Sequence, residues 1–138
     1  MTVPPLQLNG RLPPGEHHAT IAEIITAFPA LTTERKELNA ALLSLQSALK
    51  KLKSLVPDMI LYIDGSFVSR KPSPNDIDLL FLTNILDEGE IQDFIRQECP
   101  IPFTYFDIHA DPIHRRNLVN LFTHTRSNKL KGIIIIDL

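Results

Sequence analysis

Asp64-Gly65-Ser66-Phe67-Val68-Ser69-Arg70-Lys71-Pro72-Ser73-Pro74-Asn75-Asp76-Ile77-Asp78-Leu79 is the stretch on which the architecture turns. Before it, Met59-Ile60-Leu61-Tyr62-Ile63 is a short apolar run bounded by turn residues, the composition of a buried strand. Asp64-Gly65-Ser66 breaks that run, and Lys71-Pro72-Ser73-Pro74-Asn75 is a strong loop signal. Ile77 to Leu82 then reads as a second strand. Strand side chains alternate, so Asp76 and Asp78 share one face, about 6–7 Å apart along the chain. Ile77 and Leu79 take the opposite face, toward a core.

Two carboxylates side by side repel unless a cation or hydrogen bonds compensate. Hard divalent cations prefer oxygen ligands, and Mg²⁺ in particular takes one or two carboxylates together with substrate phosphates. The Gly65-Ser66 turn supplies a matching half. Glycine lets backbone amides approach a phosphate closely, and the serine hydroxyl adds a donor. Arg70 and Lys71 lie between turn and acids, where a polyphosphate would need neutralising charge. Solvation of an ordinary loop explains them equally well.

Working outward, Tyr105-Phe106-Asp107-Ile108-His109 sits in a third predicted strand, from Phe103 to His109. If that strand neighbours the Asp76/Asp78 strand, Asp107 completes a three-carboxylate cradle, with Asp64 and Asp111 as competing acids. Such a cradle can hold two metal ions about 3.5–4 Å apart across an in-line phosphoryl displacement. His109, two residues beyond Asp107, shares its strand face and is within reach of the same place. The spacings of His17, His18, His109 and His114 match no zinc motif.

Upstream, Thr20 and Glu23 form a capping box for a short helix carrying Ile21, Ile24, Ile25 and Phe28. Thr32 or Thr33 opens a longer helix to about Leu55, in which Leu38, Leu42, Leu45, Leu49 and Leu52 recur at helical steps. Lys50, Lys51 and Lys53 close it, where cations complement the helix dipole. Residues 1–16, with Pro4, Pro5, Pro13 and Pro14, read as an extended arm lying over the domain or onto a partner. Residues 17–138 read as a single domain. Downstream, Glu90 to Gln97 reads as a helix, Asp111 as the cap of a short helix through Leu121, and Lys131 to Leu138 as an isoleucine-rich strand. The expected fold is α/β (α+β), a mixed sheet of about four strands flanked by helices.

At 138 residues the chain suits one domain. A net charge of −2 gives no global attraction to nucleic acid or acidic membranes. The single Cys99 excludes an intramolecular disulfide and a cysteine-based zinc cluster. The N-terminus lacks the apolar core of a signal peptide, and no apolar run approaches the roughly 20 residues of a membrane span. The expectation is a cytoplasmic protein with no membrane association.

Gly65-Ser66, nine intervening residues, and Asp76-Ile77-Asp78, with an acid on a later strand, resemble the DNA polymerase beta-like nucleotidyltransferase superfamily. The strings Asp-Gly-Ser-Phe-Val-Ser and Pro-Asn-Asp-Ile-Asp, together with the early Leu12-Pro13-Pro14-Gly15 and His18-Ala19-Thr20, look like a small stand-alone branch of it. The likeness covers most of the chain, and its specific part is residues 64–79. It implies the nucleotidyltransferase fold. It implies that Gly65 and Ser66, with Ser69, Arg70 and Lys71 around them, bind a nucleoside triphosphate. Asp76, Asp78 and Asp107 would hold Mg²⁺ (or Mn²⁺), and Asp107 would also orient or deprotonate an acceptor.

The implied activity is transfer of a nucleoside monophosphate to a protein or RNA hydroxyl, with pyrophosphate released. Small members of the superfamily serve as antitoxins that modify or mask a toxin, or as toxins that modify transfer RNA. A protein acceptor, such as a toxin, fits the absence of a broad basic surface slightly better than RNA. The alternative is a non-catalytic module that masks a partner through the proline-rich arm. The chain departs from the superfamily pattern at Asp64, where an apolar residue is usual, and in lacking length for a separate acceptor-binding domain.

Overall fold

The computed structural model describes residues 3–99, 105–124 and 130–138. Its order is β1 (Gly15–Thr20), α1 (Ile21–Ala27), α2 (Thr33–Leu55), β2 (Ile60–Asp64), a 3₁₀ turn (Ser66–Val68), β3 (Ile77–Leu82), α3 (Glu88–Glu98), β4 (Phe106–Asp111), α4 (Asn117–Phe122) and β5 (Gly132–Asp137). The five strands form one mixed sheet in the order β1-β5-β2-β3-β4. β1 is parallel to β5 and β3 to β4, whereas β2 is antiparallel to both β3 and β5.

The expected α/β class is therefore present, with five strands rather than about four. The additional strand is β1, and it corrects the boundary drawn at residue 16. Gly15 and Glu16 pair with Gly132 and Ile133 in the sheet, so the arm ends at Pro14. β1 is an edge strand in which Ala19 is the one buried residue, so its sequence shows no apolar alternation.

Local signals account for the helices. Thr20 caps α1, accepting from the Glu23 amide, while the Glu23 carboxylate accepts from the Thr20 amide. Asp87 and Glu90 close a second capping box, so α3 starts at Glu88, two residues earlier than its apolar pattern suggested. α4 begins at Asn117, six residues past Asp111, yet the Asp111 carboxylate still accepts from the Leu118 amide at 3.1 Å. Phe103 and Thr104, the expected start of the third strand, lie outside the described residues.

The core follows the alternation along the strands. On one face Leu61, Ile63, Ile77, Leu79, Phe81, Ile108, Ile134 and Ile136 meet the leucines of α2, Ile21 and Ile24 of α1, and Ile91 and Ile95 of α3. On the other face Tyr62, Leu80, Leu82 and Ile133 are covered by Val119 and partly by Phe122 of α4. α4 is too short to cover that whole face. The same face carries Asp64, Asp78, Asp107 and His109, none of which could sit in the apolar layer behind. No helix among the described residues is long and apolar enough to cross a membrane.

Candidate metal and phosphate site

Sheet register brings the acids together. Asp78 of β3 lies directly opposite Asp107 of the parallel β4 and opposite Asp64 of the antiparallel β2. His109 follows two residues after Asp107 on the same face. Its Nε2 stands 3.3 Å from Asp107 Oδ2 and 3.9 Å from Asp78 Oδ1. The ring meets Phe122 edge-on, with centroids 5.2 Å apart. Asp78, Asp107 and His109 each offer one ligand atom, all within 4.8 Å of one another, and so form a group able to hold a metal ion.

Asp76 precedes β3 and stands outside that tight group, yet its charge acts on Asp78. Burial, followed by the Asp76 and Asp107 carboxylates, pushes the Asp78 carboxyl up from 3.8 to about 7, and His109 offsets part of this. A carboxyl held this high has negative charge around it and too little water or positive charge in compensation. A divalent cation would supply that compensation. The competing acids are otherwise engaged: Asp111 holds the start of α4, and Asp64 is paired with Lys131.

Gly65 is a steric requirement of the cradle. Its φ is +84°, and a Cβ there would lie 2.1 Å from Asp78 Oδ2. The carboxylate occupies the space that any side chain would need, so the glycine of the turn and the acid of the next strand are one fitted unit. The donor chemistry, two carboxylates and an imidazole beside this glycine, suits a divalent cation.

Beside the acids lies a cavity of about 710 Å³, lined by Gly65, Ser66, Ser69, Arg70 and Lys71, all five residues expected around a phosphate. The structure adds Asn9, Gly10 and Arg11 from the N-terminal arm, with His124 and Lys131 from around β5. The arm is folded onto the domain. Leu12 is buried, and its carbonyl accepts from the Gly132 amide at 3.2 Å. The Arg70 amide donates to Gly10 O at 2.8 Å, and its guanidinium donates to the carbonyls of Gln7 and Leu8. Arg70 therefore anchors the arm, and its donors face the arm's carbonyls. The Ser69 hydroxyl is likewise engaged within the loop, donating to Ser66 O and accepting from the Lys71 amide.

Two features have weak sequence signals. Arg35 of α2 is buried, with its guanidinium against the Phe28 and Phe67 rings, and it donates to the carbonyls of Phe67, Ser69 and Lys71. It thereby fixes the loop that carries Ser66 to Lys71. Thr32 assists by donating to Pro72 O at 2.7 Å. Lys131 donates to both oxygens of Asp64 at 3.1 and 3.2 Å, with the two side chains 15% and 7% exposed. Burial raises the Asp64 carboxyl, while Lys131, the Gly65 amide and Arg11 favour its ionised form. Lys131 was foreseeable only as the polar residue heading an isoleucine run.

No curated protein and no solved structure matches the chain. Residues 4–137 match the model of a family of unknown function, DUF6932, and the chain belongs to that family.

Proposed function

We propose that the protein is a metal-dependent nucleotidyltransferase, moving a nucleoside monophosphate from a nucleoside triphosphate to a protein or RNA hydroxyl. The observation that carries this reading is adjacency. A metal-competent group of Asp78, Asp107 and His109, with Asp76 acting on it, abuts through Gly65 a cavity walled by cations and a glycine-serine turn. Mg²⁺ or Mn²⁺ held there would neutralise charge on the attacking and leaving oxygens of an in-line displacement.

The chain's own residues supply the rest. Gly65 and Ser66 present the turn to the phosphates. Lys71 and Arg11 bring positive charge to the cavity wall, and Lys131 stands there paired with Asp64. The acceptor oxygen attacks the α-phosphorus, the bond to pyrophosphate breaks, and Asp107, its side chain 54% exposed, takes the hydroxyl proton. The alternative is a masking module with the arm as its interaction element; Leu12 and Arg70 hold that arm on the domain, with Leu8 fully exposed on it. A toxin encoded beside the protein is one protein acceptor that fits this reading.

Purified protein incubated with each α-labelled nucleoside triphosphate, Mg²⁺ or Mn²⁺, and source-cell lysate tests the proposal. The expected result is label on a protein or RNA band, abolished by the double change Asp76→Asn and Asp78→Asn. A folded protein that labels nothing with any nucleotide would overturn it.

A further inference from the structure

We propose that His109 is a direct metal ligand, and that the Asp78–Asp107–His109 group takes one divalent transition-metal ion in preference to Mg²⁺. The inference rests on reading the acids as a metal cradle, and it does not require nucleotidyl transfer.

The three ligand atoms lie close enough to converge on one ion. In an octahedral shell with metal–ligand bonds of about 2.1 Å, cis ligands stand about 3.0 Å apart and trans ligands about 4.2 Å apart. His109 Nε2 lies 3.3 Å from the nearest Asp107 oxygen and 3.9 Å from the nearest Asp78 oxygen, within a group spanning no more than 4.8 Å. Small side-chain adjustments suffice to close such a set on an ion. Each ligand is fixed by backbone: Asp78 and Asp107 by cross-strand register, and His109 by its place on the same strand face. Phe122 braces the imidazole edge-on, and Gly65 leaves room for the Asp78 carboxylate.

The donor set decides the metal. Mg²⁺ is hard, holds its waters and favours carboxylate and phosphate oxygens. An imidazole nitrogen adds little for Mg²⁺, but it raises affinity for first-row ions, least for Mn²⁺ and more for those beyond it in the series. Two carboxylates and one neutral imidazole balance a divalent charge and leave coordination positions open. Asp76 lies outside this set, so among the described residues one group of three ligands is assembled for an ion.

The competing role for His109 is that of a protonated counter-charge between two carboxylates, with no metal bond. The two roles separate in a spectroscopic experiment on the metal-free full chain, titrated with Mn²⁺ without nucleotide. We expect about one Mn²⁺ per chain by electron paramagnetic resonance. Pulsed spectra of the bound ion should show coupling to an imidazole ¹⁴N, and displacement by Mg²⁺ should need at least a tenfold excess. His109→Gln should abolish the nitrogen coupling and weaken Mn²⁺ at least about tenfold, leaving Mg²⁺ affinity nearly unchanged. Asp107→Asn should weaken both ions.

Bound Mn²⁺ without nitrogen coupling, or coupling that persists in His109→Gln, overturns the inference. Failure of a folded chain to bind Mn²⁺ overturns both it and the cradle. Nitrogen-coupled Mn²⁺ in a protein that transfers no nucleotide would sink only the proposed reaction.

Discussion

Replacing Asp78 by Asn should make the metal-free protein more stable above neutral pH. The folded carboxyl is raised to about 7 against an ordinary value of 3.8. Between those values the folded state binds more protons than the unfolded one, so stability falls as pH rises through that window. Above about pH 7 the loss is complete. The full difference of about 3 units corresponds to about 4 kcal/mol. Asp78 is 27% exposed and shares its titration with neighbouring acids, so about half of that, about 2 kcal/mol, is expected.

Asn keeps the size of the side chain that fits against Gly65 and carries no charge to repel Asp76 and Asp107. In a domain of this size the gain is a rise in Tm of about 6 °C at pH 8, shrinking to nothing near pH 4. Thermal unfolding in a chelator across that pH range measures it. Mn²⁺ at about a hundred times its dissociation constant should stabilise the wild type by about 2.7 kcal/mol and close the gap, with little effect on the variant. A variant no more stable than wild type at pH 8, or a gap that ignores pH, would refute the account of the cradle as frustrated without a cation.

Two other perturbations probe the supports of the site. Lys131→Met leaves the Asp64 carboxylate nearly buried and unpaired and should cost about 3–5 kcal/mol in urea unfolding, with Asp64→Asn in the same chain recovering most of it. A loss under 1 kcal/mol would show that water replaces the ammonium. Arg35→Met strips the carbonyls of Phe67, Ser69 and Lys71 of their donor and should cost about 3 kcal/mol. Arg35→Lys should recover little, because an ammonium cannot reproduce the planar fork, so equal stability of Arg35→Lys and wild type would contradict that role.

What the sequence disclosed depended on whether a residue's role is local. α2 follows from its leucine spacing and its threonine cap, and β3 from Ile77 to Leu82 emerges with its ends intact. The parity of Asp107 and His109 on one strand was also visible, so His109 needed only the register of β3 against β4 to join the acids. β1 was hidden because an edge strand is held by backbone bonds to β5 and needs no apolar alternation. Its Gly15 and Glu16 therefore read as the end of the arm, and His17 and His18 carried no strand signal. The place of Arg70 in the loop fits a phosphate cation and a solvated side chain equally well. Its actual partners, Gln7, Leu8 and Gly10, lie some sixty residues away, and nothing in a linear pattern reports such a pairing. Arg35 was equally opaque, since a buried arginine on a helix announces itself only when the aromatic rings and carbonyls around it are known.

Asp64, the departure from the superfamily pattern, gains a physical account from its partner. An apolar residue at the end of β2 would hold the sheet at least as well, because a buried ion pair seldom outdoes a well-packed apolar substitute. An apolar pair could not, however, place an ammonium group on the wall of a cavity that also carries Gly65 and Ser66. The Asp64 carboxylate makes that placement tolerable by balancing the charge at 3.1 Å, and the Gly65 amide favours the ionised form of the same carboxylate. Strand end, glycine turn and the head of β5 are thus tied at one point. Gly65 lies between the two acids of this edge: its amide favours the ionised form of Asp64, and Asp78 fills the space a side chain would need. Changes at Asp64 should therefore be felt at the metal cradle as well as in the cavity, because Asp64 faces Asp78 across the sheet and adjoins Gly65 in the chain.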